Sequence, residues 1–232
     1  MAGRSDPSRL AWNDFANRDS LSARIERRGI LTLPARPLWK ITPSEHRVMR
    51  WKNGLGMTRE IAIDPPGASM TDAALRWRLS IADVEQSGPF SAFPGIDRTI
   101  MVIKGLGMVL TVAGRPPWRL DKCFVPYEFS GDAATECELI DGPIQDFNLM
   151  INRSLLSART EVRELSRAEM IPLTGAICIL HLLAGDTALR WRSAEEQSSA
   201  GDTIVLSSAP QETLEVIPRS TAFLVMIGMH AP

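Results

Sequence analysis

The side chains best suited to hold a small anion fall in three stretches of the chain. The first is Trp51-Lys52-Asn53-Gly54-Leu55-Gly56-Met57-Thr58-Arg59-Glu60, a glycine-hinged loop that runs into a strand and carries indole, ammonium, amide, hydroxyl and guanidinium groups. Asn53-Gly54 is a tight-turn dipeptide. Arg59 then stands near the start of the strand, where its planar donor fork matches a carboxylate. Pairing with Glu60, Glu85 or another surface acid is the alternative reading. Glu60 is the poorer of these partners, because neighbours in a strand face opposite ways. The second stretch places Arg78 and Ser80 on one strand face, opposite Trp77, Leu79 and Ile81. The third places Asp146, Asn148 and Asn152 opposite Phe147, Leu149 and Ile151. A buried polar group without a partner costs about 1–3 kcal/mol, so these residues need either a wet polar cavity or bulk solvent, and pattern alone leaves both open. Phe90 and Phe93, in the loop Ser87–Arg98, read either as walls of a pocket mouth or as plugs at a barrel end. In a metal-free enzyme, Glu60 and Asp146 would be the acid–base pair.

Other chemistries find no support. The chain has three histidines, His46, His181 and His230, with no HxH, HxxxH or CxxC spacing, so no metal site is expected. His181 lies in an apolar run and reads as a hydrogen-bonded core histidine. A GxSxG nucleophile elbow is absent. Gly54-x-Gly56 and Gly105-x-Gly107 are too short for a dinucleotide loop, and no βαβ pattern surrounds them. No cofactor is expected. Six tryptophans against one tyrosine read as core or rim rather than as a base-stacking platform.

The elements that must position these groups are strands. With 232 residues, 44% hydrophobic and 23% charged, the chain can bury a sizeable core, and wholesale disorder is excluded. The net charge of −1 gives no footprint for nucleic acid or an anionic membrane. Residues 1–36 differ: seven arginines face four acids, and Leu21–Arg28 reads as a short helix capped by Asp19 or Ser20 and ended by Gly29. That segment is expected to be an extension to the folded part. Cys123, Cys137 and Cys178 are odd in number and suit a reducing cytoplasm. No apolar run reaches the roughly 18 residues of a membrane span, and Met1–Arg9 lacks the apolar core of a secretory signal.

Period-two alternation marks strands at Met57–Ile63, Arg76–Asp83, Thr99–Ile103, Met108–Val112, Thr135–Ile140 and Ile144–Ile151. A more apolar set follows at Ile177–Leu183, Ala188–Arg192, Thr203–Ser207, Thr213–Ile217 and Phe223–Gly228. Met57, Arg59, Ile61 and Ile63 are expected on one face. Lys104-Gly105-Leu106-Gly107 reads as a hairpin turn, Ala209-Pro210 as a turn, and Ser166–Met170 as one helical turn. Met101–Gly105 and its following strand resemble His181–Gly185 and its following strand, which points to a pseudo-duplicated β-domain. Short strands with Gly/Pro turns and almost no helical period favour a sandwich or barrel.

Four runs carry a resemblance to a known family: Arg50–Ile63, Trp77–Arg98, Val102–Leu110 and Gly142–Arg153 look like the signature of the HutD/Ves family of RmlC-like cupins, and they occur in family order. The resemblance covers residues 37–230 and is strongest over 50–153. It implies an all-β bicupin, with two RmlC-like β-barrel (jelly-roll) modules in one chain. The boundaries expected are an extension over 1–36, a ligand-carrying barrel over 37–153 and a degenerate barrel over 154–232. It also implies a non-enzymatic sensor or regulator of histidine utilisation that binds a small acidic metabolite, with N-formylglutamate as the proposed ligand. A metal-independent isomerase or hydrolase of small organic acids is the alternative. Carried over by position, Trp51, Lys52, Asn53, Thr58, Arg59 and Glu60 form the first motif, Arg78, Ser80 and Asp83 belong to the second, and Asp146, Asn148 and Asn152 to the last. Arg59 is the expected carboxylate clamp and Phe93 a wall. A homodimer is compatible with the way cupins pair through sheet faces.

Overall fold

Alternating side chains let one strand serve two different cores, and that is how most of this chain is used. The computed structural model describes residues 38–51, 54, 56–207 and 211–232. The expected helix over Leu21–Arg28, the Ala209-Pro210 turn and the site residues Lys52 and Asn53 lie outside the described residues. The described elements are β1 (Leu38–Ile41), a 3-10 turn (Pro43–Glu45), β2 (Arg47–Arg50), β3 (Gly56–Asp64), β4 (Trp77–Val84), β5 (Gly88–Phe90), β6 (Ile96–Lys104), β7 (Met108–Val112), β8 (Trp118–Leu120), β9 (Tyr127–Ser130), β10 (Thr135–Leu139) and β11 (Ile144–Asn152). They continue with β12 (Ser157–Leu165), β13 (Glu169–Pro172), β14 (Ile177–Ala184), β15 (Asp186–Trp191), β16 (Ala194–Ser199), β17 (Thr203–Ser207), β18 (Thr213–Pro218) and β19 (Ala222–His230). Where one helical turn is expected at Ser166–Met170, the chain instead bends and enters β13.

Four antiparallel sheets result, in the orders β5-β10-β7-β8, β2-β3-β4-β11-β6-β9, β1-β17-β14-β19-β12 and β13-β18-β15-β16. One core joins the first sheet to the second through Ala82, Val84, Ile100, Val102 and Ile144 against Met108, Leu110, Val112 and Cys137. A second core joins the second sheet to the third through Trp77, Leu79, Ile81, Phe147 and Leu149 against Ile177, Ile179, Val205, Val225 and Ile227. A third joins the third sheet to the fourth through Leu180, Leu182, Leu206 and Leu224 against Ile171, Leu189, Trp191 and Leu214. The two middle sheets are therefore covered on both faces. The apolar face of β4 does not leave Arg78 and Ser80 in solvent; both are buried on its other side.

The chain uses one topology twice. Strands β12 to β19 repeat the sheet assignments and neighbour order of β4 to β11, shifted by eight: β4-β11-β6-β9 answers to β12-β19-β14-β17, and β5-β10-β7-β8 to β13-β18-β15-β16. Lys104–Gly107 is accordingly not a hairpin turn, because β6 and β7 belong to different sheets. Gly105 and Gly107 have φ of 98° and 109°, the region open to glycine, and carry the chain across the core from one sheet to the next. Gly185, with φ of 85°, makes the same crossing between β14 and β15. The repeat is not closed at a single boundary: β1, from the start of the described chain, pairs with β17.

A β-bulge at Ile61 changes the phase of β3. Glu60 stands opposite Ser80, yet Ala62 stands opposite Leu79 and Ile63 opposite Arg78. Ile61 and Ala62 both enter the core between the middle sheets, while Ile63 packs with Leu75, Ile96 and Met150 on the other side. The single face expected for Met57, Arg59, Ile61 and Ile63 is broken at that point.

Candidate functional site

Register brings polar residues from four neighbouring strands onto the face of the second sheet that looks toward the first. Thr58 is opposite Ala82, Glu60 opposite Ser80, and Ser80 opposite Asn148. Asp146 stands between Ala82 and Val102, Asn148 between Ser80 and Ile100, and Met150 between Arg78 and Arg98. Residues two apart on a strand share a face, so Thr58, Glu60, Arg78, Ser80, Arg98, Asp146 and Asn148 line one surface. All of them except Thr58, which is half-buried, are buried. Thr58 Oγ1 accepts a hydrogen bond from Trp51 Nε1 at 2.8 Å, and the Trp51 indole packs against the apolar part of the same core.

Two of the buried charges satisfy each other. Arg78 Nε donates to Glu60 Oε2 at 2.7 Å, and Arg47, exposed at the rim, stands 3.9 Å from Glu60 Oε1. Arg98 is held differently. Its guanidinium carbon lies 5.0 Å from the ring centre of Phe129, 5.3 Å from that of Phe90 and 5.7 Å from that of Phe93, a three-ring cation–π setting. Phe93, half-buried, thus walls a side chain of the site. Arg98 Nε has no hydrogen-bond partner. Burial pulls the Arg98 pKa down to about 10, with Asp146 opposing that fall and Arg78 adding to it, so the group remains a cation at neutral pH. Asp146 is 1% exposed. Burial pushes its carboxyl up to about 7, against the pull of Arg98 and with a further push from Asp83. Asp146 Oδ1 and Asn148 Oδ1 also lack hydrogen-bond partners. An unmatched donor and two unmatched acceptors therefore lie on one buried surface, within a register step or two of each other.

Arg59 is elsewhere. It stands opposite Ile81, on the face that packs toward the third sheet. There its Nη2 donates to Asp83 Oδ1 at 3.1 Å, and Gln145 Nε2 donates to the same oxygen at 2.7 Å. The acid that Arg59 finds is thus Asp83 rather than Glu60 or Glu85. Asn152 is also spent locally: its Nδ2 donates to the Leu75 carbonyl at 2.9 Å, and its Oδ1 accepts from Ser154 N and Oγ in the turn after β11. Arg98 is the residue that sequence reasoning missed. Starting the strand at Thr99, the first residue of an apolar run, left it in the preceding loop. Extending the alternation of Ile100 and Val102 back by two places it on their face.

The internal repeat supplies a control for these residues. Register on β14 and β19 places Leu224 opposite Leu182, Met226 opposite Leu180 and Gly228 opposite Cys178. On β6 and β11 the corresponding pairs are Asp146 with Val102, Asn148 with Ile100 and Met150 with Arg98. Asp146, Asn148 and Arg98 are therefore answered by Leu224, Met226 and Cys178. The same architecture packs with apolar groups at these three positions, so the fold does not require the polar ones. The residues do not fit a metal centre either. Among the described residues no three His, Cys, Asp or Glu side chains converge to hold an ion. His181 is a core residue: its Nδ1 is 2.8 Å from Thr203 Oγ1, its ring lies 5.1 Å from Phe147, and burial holds its pKa down to about 3.

Comparison with known proteins agrees with this architecture. The HutD family model matches residues 43–224. Over 113 residues the chain is 44% identical to an uncharacterized 21.2 kDa protein in the hutC 3' region of Pseudomonas putida, a match covering 49% of this chain and 57% of that protein. It is 34% identical over 115 residues to Protein Ves of Citrobacter koseri, covering 49% and 58% respectively. The chain thus spans less than two thirds of the length of these curated relatives. Among solved structures, the conserved protein of unknown function PA5104 from Pseudomonas aeruginosa PAO1 superposes with a TM-score of 0.76 at 30% identity, covering 84% of this chain and 99% of that one. HutD from Pseudomonas fluorescens SBW25 (formate condition) gives a TM-score of 0.70 at 31% identity, covering 83% and 98%. Ylba from E. coli, at 11% identity and a TM-score of 0.61, and a salicylate 1,2-dioxygenase from Pseudoaminobacter salicylatoxidans, at 10% and 0.56, share the fold alone. That fold is all-β and cupin-like. No helix among the described residues is long and apolar enough to cross a membrane.

Proposed function

The chain belongs to the HutD family, and we propose that it is a two-barrel cupin whose first barrel binds a small carboxylate-bearing metabolite as a sensor or regulator of histidine utilisation, with N-formylglutamate the candidate ligand. The observation that carries this reading is the asymmetry of the repeat. Positions filled by Cys178, Leu224 and Met226 in one half hold Arg98, Asp146 and Asn148 in the other. Arg98 is the anchor for the carboxylate: buried, cationic and without a partner at Nε. Arg78 is already neutralised by Glu60 and holds the floor of the site. A buried anion needs such pairing, because desolvation otherwise outweighs attraction. Cys123, Cys137 and Cys178, none of them in a disulfide, suit a cytoplasmic setting.

The test is calorimetry with N-formylglutamate. Arg98→Met keeps the length of the side chain and removes the charge, and it should weaken binding by about 2–5 kcal/mol, as for truncation of a buried charge pair. Arg59→Ala, on the opposite face, should leave the affinity within threefold. Equal affinity for the wild type and Arg98→Met would refute the assignment. A second reading, a metal-independent enzyme, is favoured by one observation: a carboxyl with a pKa of about 7 is matched to proton transfer at neutral pH. Turnover of a small acid by the wild type, lost in Asp146→Asn, would establish that reading.

A further inference from the structure

We propose that Asp146 and Asn148 are specificity-determining residues that read a hydrogen-bond donor on the ligand, so that the site selects acids carrying an N–H or O–H close to the carboxylate over acids of the same shape without one. The proposal rests on the carboxylate reading above and adds the chemistry of the ligand's other half. Its basis is an inventory of unmatched groups. Arg98 Nε is a donor in need of an acceptor, which a carboxylate supplies. Asp146 Oδ1 and Asn148 Oδ1 are acceptors in need of donors, which a carboxylate does not supply. A simple acid seated on Arg98 would leave both oxygens buried and unpaired, and would bring a second negative group toward Asp146.

The three groups follow one another along one face of β6 and β11. Asp146 and Asn148 are two apart on β11, and Arg98 is diagonal to Asn148, since Ile100 stands directly opposite it. Cross-strand diagonals of this kind are about 7–8 Å, within reach of long side chains and bridged by a ligand a few bonds long. Asp146 lies one same-face step beyond Asn148, since Val102 and not Ile100 stands opposite it; a carboxylate on Arg98 and a donor to Asn148 therefore belong a few bonds apart on the ligand, as in an N-acyl amino acid or a hydroxy acid, with Asp146 one step further along. The rings of Phe90, Phe93 and Phe129 surround the Arg98 guanidinium, which is itself buried.

Sites that hydrogen-bond a ligand N–H or O–H reject the analogue that lacks it far more strongly than apolar pockets reject a missing methylene. The experiment compares two matched pairs by calorimetry at pH 7.5: N-acetylglycine against levulinate, which replaces the N–H by CH2, and N-formylglutamate against its ester analogue 2-formyloxyglutarate, which replaces N–H by O. In at least one pair the donor-bearing acid should bind tenfold or more tightly. Asp146→Leu with Asn148→Met places in the first half the residues that the second half already packs, and this variant should lose the preference while retaining the wild-type circular dichroism spectrum. Equal binding within both pairs overturns the donor reading and leaves the carboxylate reading standing. No binding of any of the four acids overturns both. A preference that survives in the double variant assigns the selection to other residues and overturns the role given to these two.

Discussion

Replacing Asp146 by asparagine should stabilise the ligand-free protein at high pH and do almost nothing at low pH. The residue is 1% exposed and Oδ1 has no partner, so ionisation in place is costly. Its pKa rises from 3.8 to about 7 on folding. Between those values the native state binds a proton that the unfolded chain has released. Stability therefore falls as pH rises through that window, and the loss is complete above about pH 7. Each unit of difference is worth about 1.4 kcal/mol, so the three units separating the two states amount to about 4 kcal/mol. An asparagine side chain has nearly the same shape and no charge to bury. The two proteins should be equally stable near pH 4, and the variant should lead by about 4 kcal/mol at pH 8. For a chain of this size that is a rise of roughly 8–16 °C in Tm. Urea unfolding at pH 4, 5.5, 7 and 8, in buffers free of carboxylic acids, reads the difference directly, because every other titrating group is common to both proteins. A difference that stays constant with pH, or a wild type more stable than the variant at pH 8, would refute the account of Asp146 as an unpaired buried carboxyl.

Two further outcomes follow from groups around the site. Glu60→Gln leaves the buried Arg78 guanidinium without its counter-charge and should cost about 3–5 kcal/mol in urea unfolding; adding Arg78→Met should recover most of that loss, and a single variant as stable as the wild type would show that the pair is not desolvated. Of the three cysteines, Cys123 is exposed while Cys137 and Cys178 are buried, and burial pushes the Cys137 thiol up to about 12. Ellman's reagent should therefore titrate one thiol per native chain within minutes, and two or three fast thiols would contradict the packing of the first and third cores.

Alternation made the central strands readable, and it left their roles ambiguous for a physical reason. In β4 and β11 both faces are buried, one against another sheet and one against the site. The usual inference, that the polar face of an alternating strand meets water, has no purchase there. Alternation places Thr58 and Arg59 on opposite sides of the sheet, but it does not say which side meets which neighbouring sheet. The register of β3 against β4 puts Thr58 and Glu60 on the same face as Arg78 and Ser80. The bulge at Ile61 has no sequence signal, since an extra residue in a strand of Ile and Ala looks like one more step of the pattern. Strand β12 was invisible because it is an edge strand with mostly exposed and half-exposed residues, so its alternation is not one of hydrophobicity. The glycines at 105 and 107 were recognisable as a turn, but a crossing between sheets and a hairpin need the same backbone freedom, and local sequence does not distinguish them.

The duplication bears on what the polar residues cost. Replacing a buried ion pair by well-packed apolar groups of similar volume is often neutral or stabilising. This chain contains both solutions in one architecture: a sheet pair closed by Leu180, Leu182, Leu224 and Met226, and its counterpart holding Arg98, Asp146 and Asn148 around the Glu60–Arg78 pair. The apolar half shows the same sheet order and crossing with apolar residues at these positions. The polar half then carries a deficit, a cation caged by three aromatic rings and two acceptor oxygens left open. Under the proposed reading, a guest bearing both an acceptor and a donor would relieve a deficit of that composition, and its binding would then raise the stability of the sheet pair. The second sheet is the common wall of that pair and of the core facing the third sheet. On the same reading, a ligand that stiffens the inner face of the second sheet would act on the element that also packs against the third sheet.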